Sequence, residues 1–293
     1  MDLSQVSGIV EIAGERFPVV DAGAGPPVLM LHGFPDSRFL WRQQVPALTG
    51  AGYRVIAPDL RGLGEAPRPS AIRPYRMPLL AGDVLGLLDQ LGLDRVHLVG
   101  HDWGAALSWR LAGSFPDRVD RLVALSVGAP SSPGWQTIAQ RERSWYFDFF
   151  CKRGVAEKAL MADDWKLFRE WSRGQGDQVR YLADLARPGA LTAALNWYRG
   201  AFLPPEPGEE PVPPLPAWDR VRCPTLAVWG ESDPFLLEPQ IATSAGIVDA
   251  PWRYERVEGA GHWLMLDQPD RVNELLLEFL GGWTPSRATA ELG

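Results

Sequence analysis

The pentapeptide Gly100-His101-Asp102-Trp103-Gly104 separates the β-branched run 96–99 from a stretch with helical spacing. A sharp turn between a strand and a helix, with glycine on both sides of a central residue, is typical of a nucleophile elbow. Here the central residue is an aspartate rather than a serine. Glycines at these positions would let the turn project the side chain of Asp102 over the edge of a sheet. The alternative is that Asp102 only caps the helix, a position that aspartate favours.

Two further candidates follow strand-like runs later in the chain. Asp233 lies in a loop after the strand that starts at Thr225, and His262 ends the segment 259–262 after a strand-like run. Their order along the chain, nucleophile then acid then base, is one that Asp–His catalysis uses. We predict an exposed tip for His262 because glycines precede it. Glu231 competes with Asp233 for the role of the acid, and Asp233 is preferred because it lies deeper in the loop.

A fourth motif, His32-Gly33-Phe34-Pro35, directly follows the run 28–31. We expect the backbone N–H of Phe34 and that of Trp103, the residue after the nucleophile, to form an oxyanion hole. The alternative for an isolated motif of this kind is a structural turn. Four motifs, each at the end of a strand and in a consistent order, favour the catalytic interpretation.

The aspartate determines the kind of reaction. A carboxylate, with a usual pKa of about 3.9, is ionised at neutral pH and can displace a leaving group at saturated carbon. The product would be an ester between Asp102 and the substrate. His262, oriented by Asp233, could then activate water to attack the carbonyl carbon of that ester. A serine would form an unreactive ether in the same reaction.

The elements that must position these residues alternate between strand and helix. Short, continuous apolar runs are typical of strands buried on both faces of a parallel sheet, and helical spacing fills the gaps between them. The pattern predicts a doubly wound, mostly parallel α/β sheet with a leading hairpin over Ile9 to Val20. Residues 1–130 and 218–293 would form its two parts. Residues 131–217, which are helical and rich in tryptophan, are expected to form an inserted cap, here called the lid. The alternative is an independent helical domain.

Composition excludes several classes of function. The net charge of −7 disfavours nucleic acid as a partner, and no apolar run approaches the length of roughly 20 residues that spans a bilayer. The N-terminus lacks the pattern of a secretory signal, and two cysteines form no disulfide or metal-binding pattern. We therefore expect a cytoplasmic enzyme, a monomer or homodimer, that needs no metal or cofactor. The dominance of arginine over lysine suggests a GC-rich bacterial source.

The motifs HGFP, GHDWG, G-x-x-D and GHW, with a lid between the sixth and seventh core strands, resemble those of epoxide hydrolases of the α/β-hydrolase fold and of the related haloalkane dehalogenases. The resemblance covers nearly the whole chain. The lid segments around Tyr146 and Tyr198 look like those that carry the two ring-opening tyrosines of soluble epoxide hydrolases. The resemblance implies that both phenols bind the epoxide oxygen and protonate the alkoxide. His32, Pro35, Trp103 and Trp197 are expected to contact the substrate.

Chemistry favours the same choice. The oxygen that leaves an epoxide carbon becomes a strongly basic alkoxide, which a phenol can protonate, whereas a departing halide needs only N–H donors. The sequence therefore predicts hydrolysis of a small apolar epoxide by water, with a role in detoxification. Haloalkane dehalogenation is the first alternative, because Trp103 and the lid tryptophans could bind a halide. A protein that binds a ligand without turnover is the more remote alternative.

Overall fold

A computed structural model describes Leu3 and residues 7–284. Its centre is one eight-stranded sheet with the order β1-β2-β4-β3-β5-β6-β7-β8. The first two strands pair antiparallel with each other, β2 pairs antiparallel with β4, and all other neighbours are parallel. The strands are β1 Ser7–Ile12, β2 Glu15–Ala22, β3 Pro27–Leu31, β4 Arg54–Pro58, β5 Val96–His101, β6 Val119–Leu125, β7 Thr225–Gly230 and β8 Trp252–Val257.

Helices cover both faces of this sheet. Helix α1 packs on α11 and helix α2 packs on α3, which gives one helical layer on each side. Every residue of β7 is buried, as expected for a strand covered on both faces. The core helices are α1 Gln44–Gly50, α2 Met77–Gln90, α3 Trp103–Ser114, α9 Glu238–Ala242, α10 Leu264–Asp267 and α11 Pro269–Leu280. The predicted fold class and the leading hairpin are confirmed.

The lid follows β6 and leads into β7. Its helices are α4 Ile138–Arg143, α5 Trp145–Phe150, α6 Val155–Ser172, α7 Gln178–Leu185 and α8 Ala190–Phe202, and α6 is interrupted by non-helical backbone over 162–165. Short 3₁₀ turns lie at Arg38–Arg42, Arg73–Tyr75, Pro116–Arg118, Pro133–Gln136 and Thr243–Ile247.

The last part of the lid, residues 203–217, contains neither helix nor strand and is called the strap. Arg76, which precedes α2, holds the strap to the core. Its side chain donates to the carbonyl of Leu203 at 2.6 Å and pairs with Glu209 at 3.0 Å. Both members of this pair are largely buried. Among Leu3 and residues 7–284, no helix is both long and apolar enough to cross a membrane.

Candidate active site

Asp102 lies at the turn between β5 and α3, with φ of 52° and ψ of −122°. A non-glycine residue in this region of φ and ψ is strained, and such strain is frequent at functional sites. A Cβ added to Gly104 would lie 2.1 Å from the carbonyl oxygen of Leu31, so this turn needs glycine there. The side chain of Asp102 forms no capping hydrogen bond with α3. Capping therefore does not explain the aspartate, and its carboxylate is free to face the lid.

The structure brings Asp102, Asp233 and His262 together. His262 Nδ1 lies 2.7 Å from Asp233 Oδ2, and His262 Nε2 lies 3.5 Å from Asp102 Oδ2. The second oxygen of Asp233 accepts hydrogen bonds from the backbone N–H groups of Phe235 and Leu236, which fix the carboxylate. Glu231 instead pairs with Arg256 at the surface. One imidazole thus bridges two carboxylates, and Asp233 rather than Glu231 is the carboxylate that contacts its Nδ1.

The prediction of an exposed tip for His262 is wrong, because only 3% of this residue is accessible. The rings of Phe235 and Trp263 pack against the imidazole, at centroid distances of 5.3 Å and 5.0 Å. From the lid, Gln175 accepts a hydrogen bond from the backbone N–H of His262. A Cβ on Gly261 would lie 2.5 Å from Gln175 Oε1, so glycine at this position permits close packing under the lid.

The loop after β3 directs a backbone donor at the nucleophile. The N–H of Phe34 donates to Asp102 Oδ1 at 2.7 Å, and the N–H of Trp103 also stabilises this carboxylate. A Cβ on Gly33 would lie 2.2 Å from Asp102 Oδ1, so only glycine permits this approach. The backbone thus holds Oδ1, whereas Oδ2 faces His262.

The contact between His262 and Asp102 shifts the pKa values of the two groups in opposite directions. Burial by itself would lower the pKa of His262, but the carboxylates of Asp233 and Asp102 outweigh it and raise the pKa to about 10. Burial would raise the pKa of Asp102, and the neighbouring imidazolium outweighs it, so the pKa is lowered. At neutral pH the unreacted site therefore contains an imidazolium between two carboxylates.

A cavity of about 670 Å³ opens above Asp102, between the core and the lid, and its walls are mostly apolar. Tyr146 from α5 and Tyr198 from α8 both line it, with ring centroids 6.1 Å apart. Burial and the negative charge of Asp102 raise the pKa of both phenols well above the usual value. The phenols therefore stay protonated beside the carboxylate.

Comparison with known proteins agrees with this geometry. The family model described as alpha/beta hydrolase fold matches residues 26–269. Epoxide hydrolase A of Mycobacterium tuberculosis is 34% identical over 94% of this chain and 97% of its own length. The chain belongs to the epoxide hydrolase family of α/β hydrolases. Human Epoxide hydrolase 4 is 33% identical to this hydrolase over 92% of the chain and 77% of its own length. The crystal structure of Epoxide Hydrolase A from Mycobacterium thermoresistibile is 30% identical, has a TM-score of 0.76, and is matched over 96% of this chain and 99% of that one.

Three residues that we predicted to contact the substrate do not line the cavity of the hydrolase, whereas Trp103 does. His32 is fully buried, and its Nε2 accepts a hydrogen bond from the N–H of Leu60. Pro35 is buried behind Phe34, to which it is joined by a cis peptide bond. Trp197 is turned away, and its indole N–H donates to the carbonyl of Arg61 at 2.8 Å. All three residues are thus buried outside the cavity.

Two buried groups of the hydrolase were not singled out by the sequence. His101 Nε2 lies 2.9 Å from the carbonyl oxygen of His262, to which Ser126 also donates. Asp36 accepts a hydrogen bond from the indole of Trp263, and burial raises its pKa to about 7. Its place directly after the HGFP motif is the only signal that could have drawn attention to Asp36. Within the described part of the chain, no group of three or more histidine, cysteine or acidic side chains is arranged to hold a metal ion.

Proposed function

We propose that this chain opens an epoxide to a vicinal diol through a covalent ester at Asp102. The observation that carries the proposal is the placement of Tyr146 and Tyr198 on the cavity that also contains the Asp102 carboxylate. A carboxylate can form the ester, and a phenol can protonate the alkoxide that ring opening releases. The printed names of the relatives, which are epoxide hydrolases, support the same activity.

In the first step, Asp102 Oδ2 attacks a ring carbon and the bond from that carbon to the epoxide oxygen breaks. The oxygen takes a proton from Tyr146 or Tyr198. Asp102 Oδ1, which accepts the hydrogen bond of Phe34, becomes the carbonyl oxygen of the ester. The backbone donors are therefore in place for the second step before the ester forms.

Ester formation also prepares the base. The charge of Asp102, one of the causes of the raised pKa of His262, disappears in the ester. The pKa of the His262 imidazolium then falls. Its proton passes to the phenolate and restores the phenol that protonated the alkoxide. Neutral His262 removes a proton from water, and the oxygen of that water attacks Cγ of Asp102. The N–H groups of Phe34 and Trp103 stabilise the oxyanion. On its collapse the bond from Cγ to the substrate oxygen breaks, and that oxygen takes the proton of the hydroxyl that water supplied. The diol is released, and Asp102 is again a carboxylate beside the imidazolium that formed when His262 took the proton from water.

The test is to trap the ester. His262→Gln removes the base but leaves Asp102 able to react, so the protein should gain the mass of one substrate molecule when mixed with a styrene-oxide-like epoxide. Peptide mapping should place that mass on Asp102, and Asp102→Asn, the matched control, should gain none. Turnover by the wild type in oxygen-18 water should label a carboxylate oxygen of Asp102. An unmodified His262→Gln protein together with an unlabelled Asp102 would rule out the two-step mechanism.

Haloalkane dehalogenation is the second candidate, because the Trp103 side chain lines the cavity and an indole can donate to halide. The other donors favour the epoxide. Phe34 offers no side-chain donor, and the indole of Trp135, which lines the same cavity, donates to the carbonyl of Ala129. Assays of an aromatic epoxide beside a short bromoalkane separate the two activities. A ligand-binding protein without turnover would not need the imidazole that links Asp102 and Asp233.

The wider setting is proposed from the sequence. We expect a cytoplasmic bacterial enzyme, a monomer or homodimer, that detoxifies apolar epoxides with water as the second substrate. The apolar walls of the cavity support the choice of an apolar substrate body.

A further inference from the structure

Charged side chains on the wall of the cavity differ in whether they have a partner. Five charged residues line it, and four of them form ion pairs within the chain. Arg76 and Glu209 pair with each other, Asp102 pairs with His262, and Glu210 pairs with Arg73. The fifth is Arg110. Among Leu3 and residues 7–284, no carboxylate forms an ion pair with Arg110, and its guanidinium lies 5.9 Å from the ring centroid of Trp218.

Arg110 belongs to the same helix that the nucleophile precedes. Asp102, Ala106 and Arg110 are spaced four residues apart, and all three line the cavity. Since residues at this spacing share one face of a helix, this face of α3 forms a floor that leads from the nucleophile to the guanidinium. Eight residues of helix correspond to about 12 Å. The small side chain of Ala106 leaves room along this floor.

An unpaired cation on an apolar wall is energetically unfavourable. Arg110 is half-buried, and burial, with no anion to oppose it, lowers the pKa of its guanidinium. The group remains charged, because an arginine does not lose its proton at neutral pH. An anion delivered by the substrate would form charge-assisted hydrogen bonds in a partly dehydrated setting, where they are strong. The alternative is that water and the Trp218 ring suffice for this guanidinium.

We infer that Arg110 binds a carboxylate at the far end of the substrate, so that the epoxide belongs to a chain with an acidic terminus. This inference rests on the proposed function and names the substrate class of that site. The single guanidinium matches the single charge and planar fork of a carboxylate. A phosphate monoester, with nearly twice the charge, would call for a second free cation, and Arg76 is already paired. Three bonds of an extended chain advance about 3.6 Å, because the bonds zigzag, so roughly ten chain carbons span the floor of about 12 Å.

The test compares two substrates. One is a terminal epoxide of roughly ten carbons, matched to the floor length, that ends in a carboxylate, and the other is its methyl ester. The measured quantity is the ratio of kcat/KM for the acid to kcat/KM for the ester. In the wild type the ratio should exceed one. It should fall about 10- to 100-fold in Arg110→Gln and recover partly in Arg110→Lys. Arg222→Gln, which removes the same charge from an exposed arginine, should leave the ratio unchanged. An equal ratio in the wild type and in Arg110→Gln would overturn the inference.

A binding experiment separates this inference from the proposed function. Decanoate and decanol, which cannot react, are titrated into the wild type and into Arg110→Gln by calorimetry. Decanoate should bind more weakly to the variant, and decanol should bind both proteins alike. If the ester is turned over but decanoate binding ignores Arg110, the anion site fails and the epoxide hydrolase stands. If no epoxide is turned over but decanoate binding depends on Arg110, the proposed function fails and the anion site stands.

Discussion

Tyr146 and Tyr198 illustrate how burial prepares an acid. Only 5% of Tyr146 and 2% of Tyr198 is accessible, and the Asp102 carboxylate opposes loss of either proton. A phenol in this setting gives up its proton only to a strong base such as an alkoxide. In the proposed mechanism, ester formation removes the opposing charge of Asp102 when the alkoxide appears, so proton transfer from the phenol becomes easier.

We predict that the double variant Tyr146→Phe with Tyr198→Phe loses epoxide turnover by about 10²–10⁴-fold, the range of general-acid catalysis. Each single variant should lose less, because the remaining phenol can act. Packing is kept by the ring, so the midpoint of denaturant unfolding should change little. Tyr53→Phe, outside the cavity, serves as the control. Full epoxide turnover by the double variant would exclude the phenols as acids.

The positions of single residues were predictable where the backbone around them is unusual. Asp102 is marked by the glycines on both sides, and the structure places it at a strained turn. Burial was less predictable, as His262 demonstrates. The groups that cover it, Phe235 and Gln175, come from a distant loop and from the lid, and no local pattern reports contacts of that range.

The loop that follows β7 separates two carboxylates that lie two residues apart. Asp233 turns inward, where backbone N–H groups and His262 hold both of its oxygens, whereas Glu231 turns outward to Arg256. We predict that Asp233→Asn slows hydrolysis of the ester by orders of magnitude while ester formation changes less, because the imidazole loses its orienting charge. Glu231→Gln is the matched control and should keep both rates.

Rapid mixing with mass detection measures the two rates separately. In Asp233→Asn the esterified form should accumulate during turnover. A larger loss of turnover in Glu231→Gln than in Asp233→Asn would contradict the assignment of the acid.

Among the elements, strands were easier to predict than the orientation of helices. Strands buried on both faces are continuous apolar runs, and the runs 28–31, 96–99 and the one that starts at Thr225 are present as β3, β5 and β7. Helix α8 is buried nearly all round, so its pattern does not distinguish the face toward the cavity from the face toward the core. The sequence therefore could not show that Tyr198 lines the cavity, whereas its neighbour Trp197 points away and donates to the carbonyl of Arg61.

Stability of the whole molecule should depend on the protonation of Asp36. Burial raises the pKa of this carboxyl from 3.8 to about 7, so the folded protein holds the proton more tightly than the unfolded chain. The stabilisation is complete below pH 3.8 and is lost as the pH rises through 7. We predict that Asp36→Asn, which cannot ionise, loses less stability than the wild type between pH 4 and 8, by roughly 4 kcal/mol at most.

Urea unfolding at several pH values measures this difference. His262, whose pKa is also raised, titrates over a higher range, between its usual 6.5 and about 10. An exposed aspartate such as Asp219 gives the control substitution, Asp219→Asn. Parallel stability curves for the wild type and Asp36→Asn would contradict a raised pKa at Asp36.

The two lid tyrosines and the three core residues of the site come from separate segments of the chain, so the two sets can be exchanged independently. The lid carries Tyr146 and Tyr198 in one uninterrupted stretch between β6 and β7, and the flanking segments carry Asp102, Asp233 and His262. In a chimaera, crossovers after β6 and before β7 would exchange the two phenols, the acids of the proposed mechanism, for the donors of another lid. The three residues proposed to form and hydrolyse the ester would stay unchanged. The graft must preserve the polar contacts between the lid and the core, among them those of Gln175 with the backbone of His262, of Arg76 with the strap and of Trp197 with Arg61. In the proposed mechanism, the groups that act on the leaving oxygen therefore lie in a segment that can be exchanged as a unit.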